Sequence, residues 1–231
     1  MRQIVLMVLC VAMCSFGSPI KSMIGAERGG YGSEGERPFP EGVVPVEYLE
    51  STGNQWIDTG IIADIKRIVT IDFWHELDGL NQSQTVIAGR VINNAGYWYK
   101  LSVRNVKGYN TLFSEASVLL NSFTYWGSGG RNLTIINSDC LLEVNGVKNG
   151  NPVRESRSTD DTFKLLYHPS NTLSGFVGKL YLCKIESVDG DVLCEMVPVR
   201  VDSVGAMYDL VRGELYINSG TGEFIIGPDK E

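Results

Sequence analysis

The stretch from Phe176 to Gly227 constrains the fold more than any other part of this 231-residue chain. It consists of short runs of apolar and polar residues separated by turn-forming pairs, at Asp189-Gly190, at Arg212-Gly213 and within Ser219–Gly222. Strands of about five residues with a turn signal roughly every eight to twelve residues are typical of a β-sandwich or barrel. The sequence therefore predicts an all-β fold.

The pair Asp189-Gly190 predicts a type I′ hairpin turn, because both central residues of that turn need a positive φ. The expected register pairs Val188 with Asp191, Glu186 with Leu193 and Ile185 with Cys194. Side chains alternate across a strand, so one face of this hairpin is buried and the other is exposed. The predicted core face carries Tyr181, Cys183, Ile185, Val192, Cys194 and Met196.

A second hairpin is predicted around Asn145-Gly146, which also favours a type I′ turn. Its register pairs Val144 with Val147 and Glu143 with Lys148. The latter pair places opposite charges across two strands, an arrangement that stabilises by several tenths of a kcal/mol at most, roughly.

Two segments carry a family resemblance, GAMYDLVRGELYINSGTGEFIIGPD at Gly205–Asp229 and VEYLESTGNQWIDTG at Val46–Gly60. They resemble the two ends of a LamG-like, concanavalin A-type domain of the lectin and glucanase superfamily. The resemblance extends from Val43 to Pro228. It implies an antiparallel jelly-roll β-sandwich of the kind found in secreted and surface proteins of bacteria and in phage tail proteins.

The N-terminal segment Met1–Gly17 has the features of a secretory signal peptide. Arg2 supplies a positive charge, Ile4–Met13 is apolar, and Ser15-Phe16-Gly17 matches a small-x-small cleavage site. The apolar run is too short to span a bilayer. The alternative is a lipoprotein signal that would acylate Cys14, but Met13 is larger than the residue that usually precedes such a cysteine. The sequence thus predicts a secreted or cell-surface protein.

Residues 18–42 follow the predicted signal peptide and are rich in Gly, Glu, Arg and Pro. Such a segment buries too little apolar surface to offset the entropy of ordering, so it is predicted to be a flexible linker. Residues 43–231 have the length of one domain with a full core, and they are predicted to form the jelly-roll domain.

Charge and cysteine content narrow the function further. The formal net charge is −7 and the basic residues form no stripe, which argues against a nucleic-acid partner. Cleavage after Gly17 would leave Cys140, Cys183 and Cys194. In the predicted register Cys183 and Cys194 are diagonal neighbours, about 7–8 Å apart, which is too long for an unstrained disulfide. Buried thiols are therefore expected, with a disulfide as the alternative.

The resemblance to glucanases raises the question of a glycoside hydrolase, which needs two carboxyl groups about 5 Å apart. Enzymes of this superfamily carry them as Glu-x-Asp-x-Glu on one strand. The nearest match here is Glu76-Leu77-Asp78-Gly79-Leu80, in which Leu80 replaces the second glutamate. The sequence thus predicts a domain that is not an enzyme, and a glycoside hydrolase is the remote alternative.

Metal sites have little support in the sequence. The chain has two histidines, and neither has a second ligand at zinc spacing. His75 is in phase with Val69, Ile71 and Phe73, which predicts a core position, and His168 precedes a proline in a predicted loop. No cofactor is expected, although calcium would accept oxygen ligands from loops. The candidates for it are Asp58, Asp160 and Asp161.

The tryptophans give the strongest signal for binding. On the strand predicted at Arg67–Leu77, Trp74 shares a polar face with Asp72 and Glu76. On the strand predicted at Gly96–Arg104, Trp98 shares a polar face with Lys100 and Arg104. An indole among charged groups suits sugar binding, because it stacks on pyranose C–H groups while polar groups bond the hydroxyls. The alternative is that each indole packs under a loop or on a neighbouring strand.

If both polar faces lie on one sheet, they form a single platform, which Trp126 would reach from a loop. The predicted ligand-binding residues are Asp72, Trp74, Glu76, Trp98, Lys100, Arg104 and Trp126. This pattern favours a non-catalytic module that binds glycan or another cell-surface ligand. The alternative is a structural or adhesive surface subunit whose partners are proteins.

Overall fold

The computed structural model describes residues 39–64, 66–76, 83–90, 98–106, 109–116, 119–125, 129–136, 142–149, 158–167 and 175–231. Within these residues the chain forms seventeen β-strands and no α-helix, so no helix there is long and apolar enough to cross a membrane. The predicted signal peptide and residues 18–38 of the predicted linker lie outside the described residues.

The strands follow one another through the domain with short connections in its C-terminal part. In chain order they are β1 (Val43–Pro45), β2 (Leu49–Thr52), β3 (Ile57–Asp64), β4 (Ile68–Glu76), β5 (Ser83–Arg90), β6 (Trp98–Val106), β7 (Tyr109–Ala116), β8 (Leu119–Tyr125) and β9 (Gly129–Ile136). They continue as β10 (Leu142–Val144), β11 (Val147–Asn149), β12 (Ser158–Leu165), β13 (Val177–Glu186), β14 (Val192–Val201), β15 (Val204–Asp209), β16 (Glu214–Ile217) and β17 (Ile225–Ile226).

These strands form two antiparallel sheets. The larger one contains eleven of the described strands, in the order β11-β10-β9-β4-β13-β14-β15-β16, with β1 beside β14 and β2 between β13 and β17. The smaller sheet contains six, in the order β3-β12-β5-β6-β7-β8. The predicted all-β, antiparallel sandwich is confirmed, whereas the jelly-roll order of its strands stays a prediction.

The core lies between the two sheets and draws side chains from both. Phe73 and Leu180 from the larger sheet belong to the same buried cluster as Ile87, Leu101 and Phe163 from the smaller one. Strand β4 shows the alternation that produces this packing. Its buried side chains are Val69, Ile71, Phe73 and His75, and its partly exposed ones are Thr70, Asp72 and Trp74. The segment before β1 also packs on the larger sheet, since the ring centres of Phe39 and of Tyr208 on β15 lie 5.5 Å apart.

The β13–β14 hairpin confirms one predicted pair and corrects the turn. Ile185 lies opposite Cys194 as expected. Asp189, however, does not have a positive φ, whereas Gly190 does, at 89°, so the turn is not type I′. The Ser187 amide donates to the Asp191 carbonyl at 2.9 Å, and the Ser187 hydroxyl accepts from the Asp191 amide at 3.1 Å. These bonds close a three-residue loop instead of a two-residue one.

The extra loop residue changes the pairing beyond the turn. A bulge after Ile185 places Glu186 opposite Val192, so the predicted pairing of Glu186 with Leu193 is wrong, as is that of Val188 with Asp191. The bulge restores the core register, and Cys183, Ile185, Cys194 and Met196 are all fully buried. Val192, next to the bulge, is only partly buried, against the prediction.

Tyr181 was also predicted to face the core, and this is wrong. The pairing of β13 with β4 shifts between Leu180 and Leu182, so two consecutive residues, Tyr181 and Leu182, separate the buried Leu180 from the buried Cys183. A bulge of this kind breaks the strict alternation on which the prediction rested. Tyr181 therefore lies on the outer face of the larger sheet.

The Asn145-Gly146 hairpin matches its prediction. Asn145 and Gly146 have φ values of 49° and 82°, and Val144 lies opposite Val147. Glu143 lies opposite Lys148, whose Nζ is 3.7 Å from Oε2 of the carboxylate. The two positive φ values make this the two-residue turn that the sequence indicates.

Cys183 and Cys194 are free thiols and both are fully buried, as expected. They are diagonal neighbours, because Cys183 lies opposite Met196 and Cys194 opposite Ile185. Burial raises the pKa of Cys183 well above its ordinary value and that of Cys194 to about 12. Since the thiolate is the reactive form, both thiols are protected from chemistry at neutral pH.

His75 is a core residue, as its phase on β4 predicts. It is fully buried, and its ring lies 5.8 Å from that of Phe73. Burial lowers the pKa of His75 from 6.5 to about 4, because an apolar environment disfavours the charged imidazolium.

We expect Cys183→Ser to destabilise the fold by about 1–3 kcal/mol, because a hydroxyl would be buried without an assured partner. Urea denaturation of this variant and of Cys183→Ala measures the effect, and Cys183→Ala controls for the loss of sulfur contacts. Slow labelling of both thiols in the native protein is the companion result, and rapid labelling would contradict their burial.

We expect His75 to make stability depend on pH below 6.5. In that range the unfolded state takes up a proton that the folded state does not bind until about pH 4. The free energy of unfolding should therefore fall by about 3 kcal/mol as the pH drops from 6.5 to 4, and this contribution should then level off. Chemical denaturation at several pH values in this range measures how steeply the free energy of unfolding falls with pH. This fall should be shallower for His75→Leu than for the parent protein, while His168→Gln should keep the parent's pH dependence. The same pH dependence of stability in His75→Leu and in the parent protein would contradict the role given to His75.

Candidate ligand-binding site

The residues predicted to form one platform belong to two different sheets. Asp72 and Trp74 lie on β4 in the larger sheet, whereas Trp98, Lys100 and Arg104 lie on β6 in the smaller sheet. The assumption that these strands share a sheet is therefore wrong, and one flat platform across both does not form. The side chains of Glu76, Trp98, Lys100 and Arg104 lie outside the described part of the structure, as does all of Trp126.

Trp74 is at the centre of a row of outward-facing side chains on the larger sheet. It lies directly opposite Arg131 on β9 and directly opposite Lys179 on β13. Residues directly opposite each other in an antiparallel pair share a face, so the indole is flanked by a cation on each side. The next residue of β4, Phe73, is buried, which shows that Trp74 points away from the core.

Aromatic rings and cations contact one another around this row. The Arg131 guanidinium lies 3.9 Å from the centre of the Tyr181 ring. The Lys179 ammonium lies 4.0 Å from the centre of the Tyr48 ring and 5.7 Å from that of Trp74. Tyr48 and Tyr181 meet edge to face, with ring centres 5.8 Å apart. Together with Asp72, these residues are called the outer cluster, which comprises Tyr48, Asp72, Trp74, Arg131, Lys179 and Tyr181.

An ion pair between Arg131 and Asp72 orients the guanidinium. The contact is bidentate: Nε of Arg131 lies 3.0 Å from Oδ1 of Asp72, and Nη2 lies 2.7 Å from Oδ2. This hydrogen bonding raises the pKa of Arg131. The Arg131 side chain is 58% exposed, so the pair adds about 1 kcal/mol of stability at most. Its main consequence is geometric, since it holds the guanidinium over the Tyr181 ring.

Lys179 and Tyr181 both keep their usual charge states at neutral pH. Burial lowers the pKa of Lys179, but hydrogen bonding to Tyr48 and the nearby Glu50 charge outweigh this effect and raise it overall. Burial raises the pKa of Tyr181, and the positive charges of Lys179 and Arg131 oppose this shift only in part. The outer cluster therefore presents two fixed cations beside the neutral phenol of Tyr181.

Four members of the outer cluster were not among the predicted site residues: Tyr48, Arg131, Lys179 and Tyr181. The position of Lys179 follows from its sequence, because it alternates with the buried Leu180. Tyr181 was assigned to the wrong face because the bulge in β13 is not visible in the sequence. Arg131 reaches Trp74 only through the pairing of β9 with β4, which joins residues far apart in the chain.

The outer cluster has the chemistry of a shallow recognition surface. Trp74 offers an indole that points outward, and the two cations beside it offer N–H donors. Aromatic faces bind apolar C–H surfaces, and fixed donors give orientation to a ligand that carries oxygen atoms. Such a combination suits a ligand that is apolar on one face and rich in oxygen at its rim.

Two of the three calcium candidates, Asp58 and Asp161, are engaged by groups of the protein itself. Oδ1 of Asp58 accepts hydrogen bonds from the Gly60 amide at 3.0 Å and from the Thr162 hydroxyl at 2.6 Å. Asp161 forms an ion pair with Lys164, whose ammonium group occupies the place of a cation. The side chain of Asp160 lies outside the described residues. In the described part of the chain, no three His, Cys, Asp or Glu residues are grouped so as to hold a metal ion.

Comparison with known proteins does not assign this chain to a family. No protein-family model matches its sequence, and no curated protein matches it. The resemblance to LamG-like domains, and the ligand class that it suggests, therefore remain proposals that rest on the residues and contacts described above.

Proposed function

We propose that this protein is a non-catalytic, extracytoplasmic module that binds glycan through the outer cluster. The observation that carries the proposal is the position of Trp74, which lies on the outer face of the larger sheet between Arg131 and Lys179. An indole on an exposed sheet face is well suited to stack on the C–H face of a pyranose ring. The neighbouring N–H groups suit the ring hydroxyls.

The geometry of the cluster supports binding in a further way, because its side chains are already held in place. Asp72 fixes the Arg131 guanidinium, and Tyr48 lies beneath the Lys179 ammonium. Ordering a long side chain during binding costs about 0.5–1.5 kcal/mol. Side chains that are ordered in the free protein avoid part of this cost, which favours ligand affinity.

The extracytoplasmic location is proposed from the N-terminal sequence. Arg2, the apolar run Ile4–Met13 and the small residues before Ser18 match a cleaved export signal. A glycan-binding surface is consistent with this location, because cell-surface polysaccharides are displayed there. The absence of the second glutamate at Leu80 supports a binding role over hydrolysis.

A structural or adhesive subunit is the alternative, and one feature of the larger sheet favours it. A shallow depression there is lined by Val192, Glu195, Leu210 and Val211; Val211 is 41% exposed, and Val192 and Leu210 are partly buried. Apolar surface that is exposed in a depression with a polar rim is a feature of protein contact sites. Under this alternative the purified protein would associate with itself or with an envelope protein and would bind no glycan.

We expect Trp74→Ala to reduce glycan affinity about five- to thirtyfold, because one stacked indole supplies on the order of 1–2 kcal/mol. A glycan array first identifies a bound sugar, and titration calorimetry then compares the variants. Trp56→Ala is the matched control, since Trp56 packs on Tyr167 at 5.0 Å and belongs to no part of the outer cluster. Trp98→Ala tests separately whether the smaller sheet contributes.

Thermal unfolding of the same variants decides between the two roles of Trp74. Because Trp74 points outward, the melting temperature should change little in Trp74→Ala while the glycan affinity falls. A fall of many degrees would show that the indole serves packing instead. Unchanged affinity in Trp74→Ala would remove the outer cluster as the glycan site.

A further inference from the structure

The hydrogen-bonding groups beside Trp74 are mostly donors. The Lys179 ammonium carries three N–H groups, and the Arg131 guanidinium carries five. Of the latter, Nε and Nη2 point to Asp72, which leaves Nη1 without a hydrogen-bond partner among the described residues. The two cations lie on opposite sides of the indole, since Arg131 and Lys179 both pair with Trp74.

Two carboxylates lie near Trp74: that of Asp72 is engaged by Arg131, and that of Glu50 lies in the same row, on the far side of Lys179. Both carboxylate oxygens of Asp72 accept hydrogen bonds from Arg131. Glu50 lies opposite Lys179 in the sheet, but no ion pair joins these two described residues, and the ammonium lies over the Tyr48 ring instead. Glu47 affects Arg131 only through its charge. The three N–H groups of Lys179 and the two on Nη1 of Arg131 therefore outnumber the two carboxylate oxygens of Glu50 as hydrogen-bonding groups for a ligand at Trp74.

We propose that the outer cluster selects an acidic glycan, in which a pyranose that stacks on Trp74 carries an anionic substituent. The anionic group, a carboxylate or a sulfate ester, accepts hydrogen bonds from Lys179 and from Nη1 of Arg131. This inference rests on the proposed function and adds the ligand class. Hydrogen bonds between a charged donor and an anion are about twice as strong as neutral ones, so the substituent contributes selectivity.

The negative net charge of the protein means that an acidic glycan is not attracted by the molecule as a whole, but only by the two cations beside Trp74. The chain has a formal net charge of −7, so its average field repels a polyanion. A polyanion that binds must therefore be recognised by a specific arrangement of cations. Salt should weaken this contact by screening the two cations, whereas binding through stacking alone should depend little on salt.

The experiment compares ligands that differ only in charge. Titration calorimetry of the mature full-length protein uses polygalacturonate, its fully methyl-esterified form, dextran sulfate and neutral dextran as probes, at low and at high salt. We expect the charged probes to bind and the neutral ones to bind more weakly. Preference for polygalacturonate would identify a carboxylate as the anionic group, and preference for dextran sulfate would identify a sulfate.

Lys179→Met keeps most of the side-chain length and removes the charge. It should lower the affinity for the acidic probe about ten- to a hundredfold and flatten its salt dependence, whereas the methyl ester, which loses only neutral hydrogen bonds, should lose less affinity than the acidic probe. Arg131→Gln should act in the same direction. Lys148→Met is the matched control, because Lys148 lies outside the outer cluster, in the Asn145-Gly146 hairpin, where it forms an ion pair with Glu143. It should behave like the parent protein.

Two results would overturn the inference. Equal affinity for polygalacturonate and its methyl ester would show that charge is not recognised, although the proposed glycan binding would stand. An equal loss in Lys148→Met and Lys179→Met would show that the attraction is not specific to the outer cluster. Failure of every charged and neutral glycan to bind would instead refute the proposed function itself.

Discussion

The pairing of β4 with β9 on one side and β13 on the other determines both the core and the candidate site. Because paired residues share a face, the same register that joins Phe73 to Leu180 in the core joins Trp74 to Lys179 on the outside. The core contacts stabilise the register, since a slip by one residue would expose Phe73 and bury Trp74 with its charged neighbours. The position of the outer cluster is thus fixed by hydrophobic packing beneath it.

Bulges modify this register where the chain needs both a regular core and a particular outer surface. The bulge in β13 directs Tyr181 outward, where its ring lies beneath the Arg131 guanidinium. The bulge near Glu186 absorbs the extra residue of the Val188–Gly190 loop, so Cys183 and Cys194 both stay in the core. Each bulge thereby changes the outer surface locally and leaves the buried face intact.

Local features of the fold could be predicted from the sequence, whereas non-local ones could not. The Asn145-Gly146 turn depends on two residues that tolerate a positive φ, and both adopt one. Asp189-Gly190 has the same signal, but the Ser187–Asp191 bonds favour a longer loop that the dipeptide does not reveal. Membership of a sheet depends on pairing across the whole chain. The alternation within each strand was enough to place Trp74 and Trp98 on polar strand faces. Their location in different sheets could not be foreseen, because it depends on that long-range pairing.

The outer cluster also shows why a surface of this kind is compatible with a stable fold. Aromatic rings exposed to water are costly and favour association, but here cations cover the faces of Tyr48 and Tyr181. A cation over an aromatic ring contributes about 0.5–1 kcal/mol at an exposed site. A cation thus lies within about 4 Å of the centres of the Tyr48 and Tyr181 rings, whereas Lys179 lies farther from the centre of the Trp74 ring, at 5.7 Å. Because the same two cations flank the Trp74 indole, the interactions that stabilise the free surface also place charged donors at the edge of the proposed glycan-binding position.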